Sequence, residues 1–318
     1  MKKNYCLLLV LFFLGFENAD AQSRKYTSQF SHLQNYYNPA LTGYEGSVLR
    51  GFVRNQWVGF DDAPKSLFLT AEMDFAEIKN RENAGLLGKH AMGLIFVQDQ
   101  YGPFDETEII LSYASRIRLN QGTNLRLGAG INYGMVRLDG FRLNTRITDD
   151  PTTARFVDTF SRMSTLDINI GLALTHNNYY LSYGIHNFNQ GGVASGDVFW
   201  EKKPMSHIVQ GGYRQMVDDN VSIITNFMFR SQEDLPENIE FNVKGLLLDR
   251  FWVGAGHRIN YSNNFQLGFI FSKLNFGYVY EVPMSQSYLL PQATHEFMLT
   301  YNLFKTNTRR NPGEVLIW

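Results

Sequence analysis

Apolar and polar residues alternate with a period of two through most of this chain. Residues 166–174 place Leu166, Ile168, Ile170, Leu172 and Leu174 on one face, and Asp167, Asn169, Gly171 and Ala173 on the other. Residues 125–135 repeat the pattern: Leu125, Leu127, Ala129, Ile131, Tyr133 and Met135 stand opposite Arg126, Gly128, Gly130, Asn132 and Gly134. Leu67, Leu69, Ala71, Met73 and Phe75 oppose Phe68, Thr70, Glu72 and Asp74, and Phe297, Leu299, Tyr301 and Leu303 alternate in the same way. Successive side chains of a strand point to opposite faces, so this period predicts β-structure. The runs also match the roughly 9 to 11 residues that a tilted strand needs to cross a bilayer.

A soluble β-sandwich would alternate too, and two features favour a barrel. The apolar faces carry aromatics toward their ends (Phe75, Tyr133, Phe265, Phe271, Tyr280, Tyr301), as interfacial girdles do. The polar faces mix Arg126, Glu106, Glu108, Asp167, Arg214, Glu240 and Lys244 with glycines, which suits a hydrated or self-paired lumen. About fourteen strands are expected, starting near Ser47, Ser66, His90, Glu106, Asn124, Thr165, Tyr179, Met205, Val221, Asn238, Phe251, Phe265, Leu274 and His295. The expected fold is therefore all-β, a transmembrane antiparallel up-and-down β-barrel of about 14 strands, preceded by a plug-like segment.

Loop lengths support that order. Connections 118–122, 176–178, 217–220, 249–250 and 272–273 are short and fall on one side, which the barrel rule assigns to the periplasm. The long ones, 137–164, 188–204 and 281–294, fall on the other. Residues 76–89 break the rule, either through a slip of register or because that loop contacts something periplasmic. A helix over 149–160, with Asp150 as cap and Pro151 in the first turn, competes evenly with an irregular loop.

The first residues differ in kind. Lys2 and Lys3 precede an apolar core at 6–16, too short for a spanning helix, and Ala19-Asp20-Ala21 supplies a small-x-small cleavage site before Gln22. The segment reads as a cleaved signal peptide, with a membrane anchor as the alternative. Four regions are then expected: a signal at 1–21, a pre-barrel or plug segment at 22–46, the barrel at 47–304 and a short periplasmic tail at 305–318.

Composition narrows the chemistry. Cys6 is the only cysteine and leaves with the signal, which removes disulfide, thiolate and cysteine-metal readings. A net charge of −1 gives no reason to expect nucleic acid. Mean hydropathy of −0.24 suits strands with one polar face better than membrane helices. The seven histidines (His32, His90, His176, His186, His207, His257, His295) show no ligand spacing and read as strand-end or lumen residues. Gly128-Ala129-Gly130 and Gly254-Ala255-Gly256 sit in strand pattern, where small lumen residues would make room for a plug or a bend. Neither a P-loop nor a GxSxG elbow is present, and the chain reads as a non-enzyme without metal or cofactor.

Several motifs add a resemblance. Gln29-Phe30-Ser31, Asn38-Pro39-Ala40-Leu41-Thr42-Gly43, Arg54-Asn55-Gln56-Trp57-Val58-Gly59-Phe60 and Ala63-Pro64-Lys65 together resemble the PorP/SprF family. Asp99-Gln100-Tyr101-Gly102-Pro103-Phe104 and Thr294-His295-Glu296, followed by Leu299-Thr300-Tyr301, extend the resemblance over nearly the whole mature chain. It implies an outer-membrane protein of type IX secretion and gliding motility. Implied partners are a surface adhesin bearing a C-terminal sorting domain, components of the periplasmic lipoprotein ring, and outer-membrane lipid. A passive transporter or porin for small solutes, hydrophobic ones included, is the alternative, and an outer-membrane hydrolase comes third.

The residues expected to matter are Asn38, Pro39, Ala40, Gly43, Arg54, Asn55, Gln56, Trp57, Gly59, Phe60, Pro64 and Lys65. Pro39 biases Asn38 away from helix, so a turn is expected there, with Asn38 fixing the plug by hydrogen bonds. Arg50, Arg54 and Gln56 share a face; an arginine facing lipid near the midplane costs about 2 to 4 kcal/mol, so that face belongs in the lumen. Arg54 is expected to pair with Glu72 or Asp74 on the next strand, and Trp57 to face outward at a strand end.

Overall fold

In a computed structural model of the chain, residues 27–59, 62–78, 89–120, 122–143, 154–233, 235–284, 293–304 and 317–318 are described. The expected signal peptide, Phe60, nearly all of the 305–318 tail and residues 149–153 of the helix candidate, with its cap and first turn, lie outside them.

The strands close on themselves. Val48–Asn55 (β1) pairs with Lys65–Asp74 (β2), and the antiparallel order continues through His90–Tyr101 (β3), Phe104–Arg118 (β4), Asn124–Asp139 (β5), Phe160–Thr175 (β6) and Tyr179–His186 (β7). Val193–Gly196 (β8) pairs only with β6, above the point where β7 leaves it. From β7 the wall passes directly to Ser206–Asp218 (β9), then through Val221–Gln232 (β10), Leu235–Leu247 (β11), Phe251–Arg258 (β12), Ser262–Phe271 (β13), Leu274–Pro283 (β14) and Thr294–Asn302 (β15). β15 returns to β1 over eight residue pairs, from Val48↔Asn302 to Asn55↔His295, which closes a 14-strand barrel. Closure leaves the barrel wall without a free edge.

The expected facing holds along the wall. Leu69, Ile109, Leu111, Leu127, Ile131, Leu172, Val243, Leu267 and Leu299 are exposed on the outer surface, with Tyr133, Phe265, Phe271, Tyr280 and Tyr301 nearer the rims. Glu72, Asp74, Arg126, Asp167, Glu240 and Lys244 are buried inside. β2 ends at Asp74 and β3 starts at His90, with Asp74 opposite Ala91. The register is therefore sound, and the long 75–89 connection does stand at the short-turn end, opening with a single helical turn, Phe75–Ile78.

Part of the chain occupies the lumen. Thr27 to Leu41 are all buried within it, in a 3-10 turn (Phe30–His32), one α-turn (Gln34–Tyr37) and a second 3-10 turn (Pro39–Leu41). Phe30, Leu33, Tyr36, Tyr37 and Leu41 pack against inward-facing Phe52, Phe68, Ile95, Trp252 and Met298. Burying each such side chain contributes about 1.5–3 kcal/mol, so a hydrophobic core forms where strand alternation alone would leave polar surface. Ile317 and Trp318 belong to the same core, so the end of the segment expected to be a periplasmic tail lies inside the barrel.

Candidate functional site

The Asn38-Pro39-Ala40 motif rests on a row of glycines. Gly128 on β5, Gly171 on β6 and Gly184 on β7 lie directly opposite one another across three strands. A Cβ at Gly128 would come within 2.2 Å of the Ala40 nitrogen, at Gly171 within 1.9 Å of Asn38 Oδ1, and at Gly184 within 2.7 Å of the Tyr37 oxygen. Only hydrogen at those three positions lets the motif lie against the wall. Beyond them the row continues through Ala114 and Ala91, and a Cβ at Gly43 would come 2.5 Å from that of Ala91.

Hydrogen bonds hold the motif in this seat. Asn38 is extended (φ −149°, ψ 113°), as a residue before proline should be, and its Oδ1 accepts from the Ala40 N–H at 2.8 Å. Its Nδ2 donates to the Leu172 carbonyl at 3.2 Å. Arg126 donates from Nε to the Ala40 carbonyl at 2.7 Å and from Nη2 to that of Thr42. The Gly43 N–H donates to Glu72 at 2.7 Å, and Gly43 itself adopts φ +67°, which favours glycine.

A charged cluster fixes the other end of the segment. Arg54 pairs with Glu281 at 3.1 Å and with Glu296; Arg258 pairs with Glu240 at 2.9 Å and Glu281 at 3.4 Å. Ser28 joins them, its N–H donating to Glu296 at 2.9 Å and its hydroxyl to Glu281. Arg54 therefore does not pair with Glu72 or Asp74. In the register of β1 with β2 it faces Ser66, whereas Glu72 lies opposite Val48 at the far end of the strand. Across the closing seam it faces Glu296. Glu72 is taken by Arg50, and Asp74 by Arg116 at 2.6 Å.

The predicted residues thus divide into two groups. Asn38, Pro39, Ala40 and Gly43 gather in the lumen seat. Asn55, Gln56, Trp57, Gly59, Pro64 and Lys65 belong to the end of β1, the connection after it and the start of β2, where the Gln56 N–H donates to the Pro64 carbonyl at 3.0 Å. Trp57 is half-buried with φ +50°, beyond the end of β1 rather than on its outward face. Of the whole Arg54–Trp57 run, Arg54 is the member that enters the buried ion-pair cluster.

The sequence reading missed Gly171 and Gly184 as seat residues, and Lys244 and Trp318 as partners. A signal was present: an inward glycine at the same level on each of three neighbouring strands. Among the described residues no group of three or more His, Cys, Asp or Glu could hold a metal ion. His90, His207 and His295 instead stand at strand ends, each hydrogen-bonded through Nδ1 to a tyrosine: Tyr113, Tyr183 and Tyr278 respectively.

The decisive comparison is with protein families. The family described as type IX secretion system membrane protein PorP/SprF matches residues 19–301. The chain belongs to the PorP/SprF family. It is an outer-membrane component of type IX secretion, and the resemblance seen in its motifs extends over the barrel and the seated segment alike. No curated protein matches the sequence significantly. Solved outer-membrane barrels resemble it in outline. The Ralstonia pickettii toluene transporter TbuX is 10% identical, with TM-score 0.47, covering 84% of this chain and 92% of that one. The Acinetobacter baumannii outer membrane protein Omp33 is 8% identical, with TM-score 0.46 and 81% and 98% covered. The CymD monoaromatic hydrocarbon channel is 12% identical, with TM-score 0.44 and 89% and 94% covered.

Proposed function

We propose that this PorP/SprF protein supports the export or surface anchoring of an adhesin-type cargo, recognised through the cargo's C-terminal sorting domain, and that it serves gliding motility by doing so. The observation that carries this reading is the filled lumen. Residues 27–43 occupy it, joined to the wall by the Asn38 seat, the Arg126 bonds and the Ser28–Glu281–Glu296 cluster. A passage for solutes requires an open lumen, whereas a scaffold for protein partners does not.

Contact with the periplasmic lipoprotein ring is assigned to the short-turn end, where the 75–89 connection stands out for its length. The reading is tested by deleting residues 27–45 and purifying the protein from native membranes. Partner capture is lost while the barrel stays heat-modifiable on gels. Full capture by the deletion variant would remove the seated segment from the account.

A further inference from the structure

Ile317 and Trp318 are held inside the barrel as a ligand is held. A segment built into a sheet bonds main chain to main chain, but among the described residues no such bond reaches this pair. Side chains recognise it instead. Arg214 donates from Nη1 to the Ile317 carbonyl at 3.4 Å and lays its guanidinium over the Trp318 ring at 4.0 Å. Tyr180 meets the indole edge-on at 4.8 Å, and Tyr44 flanks it at 5.7 Å. Lys244 donates from Nζ to the Trp318 main-chain oxygen at 2.6 Å, and Ser31 Oγ donates to the same atom at 3.2 Å.

Lys244 gives this pocket its character. It is buried, and among the described residues no aspartate or glutamate side chain lies within ion-pair distance. Its ammonium is satisfied by three acceptors: Ser31 Oγ at 2.8 Å, His32 Nε2 at 2.9 Å and the Trp318 main-chain oxygen. Two of these belong to the seated segment and the third to the guest. An ammonium has three protons to place, and losing one acceptor in a buried site is costly. The pocket thus offers a cationic donor, a guanidinium plane and two tyrosines to an indole and the main-chain oxygen of the same residue. Cation–π contacts of this kind strengthen when desolvated.

We propose that this pocket, formed by Tyr44, Tyr180, Arg214 and Lys244, is a peptide-binding site for a tryptophan-bearing strand. Its resident ligand is the Ile317-Trp318 pair, which exchanges and, while bound, locks the seated segment at Ser31, His32 and Tyr44. The inference does not depend on the identity of any secreted cargo.

The test uses the full-length protein in detergent micelles and a fluorescent peptide copying residues 311–318. Trp318→Ala empties the pocket, so it binds the peptide saturably and at least tenfold more tightly than the wild type, whose own pair competes. Adding Arg214→Gln to Trp318→Ala removes most of that gain. Heat-modifiability confirms that each variant is folded; if Trp318→Ala is not, Trp318→Leu is read in the same way. Equal binding by wild type and the emptied variant, or a gain indifferent to Arg214→Gln, overturns the proposal.

Discussion

Arg54 on the first strand lies directly opposite Glu296 on the last, and the two form a buried ion pair across the seam that closes the barrel. Glu281 on β14 shares the same guanidinium, and Ser28 ties both carboxylates to the segment in the lumen. One side chain therefore joins barrel closure to the seating of the plug.

Arg54→Met should be strongly destabilising. It leaves Glu296 buried without its cation, and breaking a buried pair from one side costs about 3–5 kcal/mol. Adding Glu296→Gln should recover part of the loss, because the orphaned charge is what costs most. Urea titration of the refolded protein measures both. Additive losses in the double variant would show that the two residues act independently.

The glycine seat gives a matched pair of substitutions. Gly171→Ala puts a methyl group 1.9 Å from Asn38 Oδ1, while Gly130→Ala, two positions away on the same face of the neighbouring strand as Gly128, meets nothing nearer than 3.5 Å. Overpacking of this kind costs about 1–3 kcal/mol, so Gly171→Ala should lower the midpoint of the heat-induced gel shift. Gly130→Ala should leave it within error.

Facing can be tested on β5. Ile131 is exposed on the outer wall and Asn132, its neighbour in sequence, is buried inside. Ile131→Arg should cost about 2–4 kcal/mol in folding into lipid vesicles if it lies near the midplane. The penalty should shrink in thinner bilayers, which bring the charge closer to the interface.

In planar bilayers the wild-type protein should be nearly silent, because residues 27–43 fill the lumen. Deleting residues 27–45 should produce large, stable conductance steps. Comparable steps from the intact protein would favour the porin reading.

The fold was legible in the sequence to different depths at the two ends of the barrel. At the short-turn end, the strand starts read from alternation (Ser47, His90, Asn124, Tyr179, Val221, Phe251, Leu274) fall within one residue of those observed. Short turns leave little room for error. At the long-loop end, β6 begins at Phe160 rather than near Thr165, β11 at Leu235 rather than Asn238, and β13 at Ser262 rather than Phe265. There the strands run on past the point where one face must be apolar, and the alternation fades before the strand does.

The site was legible where its signal was local. Asn38-Pro39 announces a turn through its own chemistry, and the structure places that turn on the wall. The partner of Arg54 was not legible, because the last strand becomes a neighbour of the first only once the sheet closes. Ile317-Trp318 gives no local sign of its position either; its pocket is assembled from Tyr44, Tyr180, Arg214 and Lys244, which the fold alone brings together.

The most direct test of the central claim is to tag the protein at its natural expression level, solubilise the outer membrane gently and identify by mass spectrometry what co-purifies. A large surface protein recovered together with periplasmic secretion components is the expected result. A lone barrel, reproducibly free of both, would contradict the account.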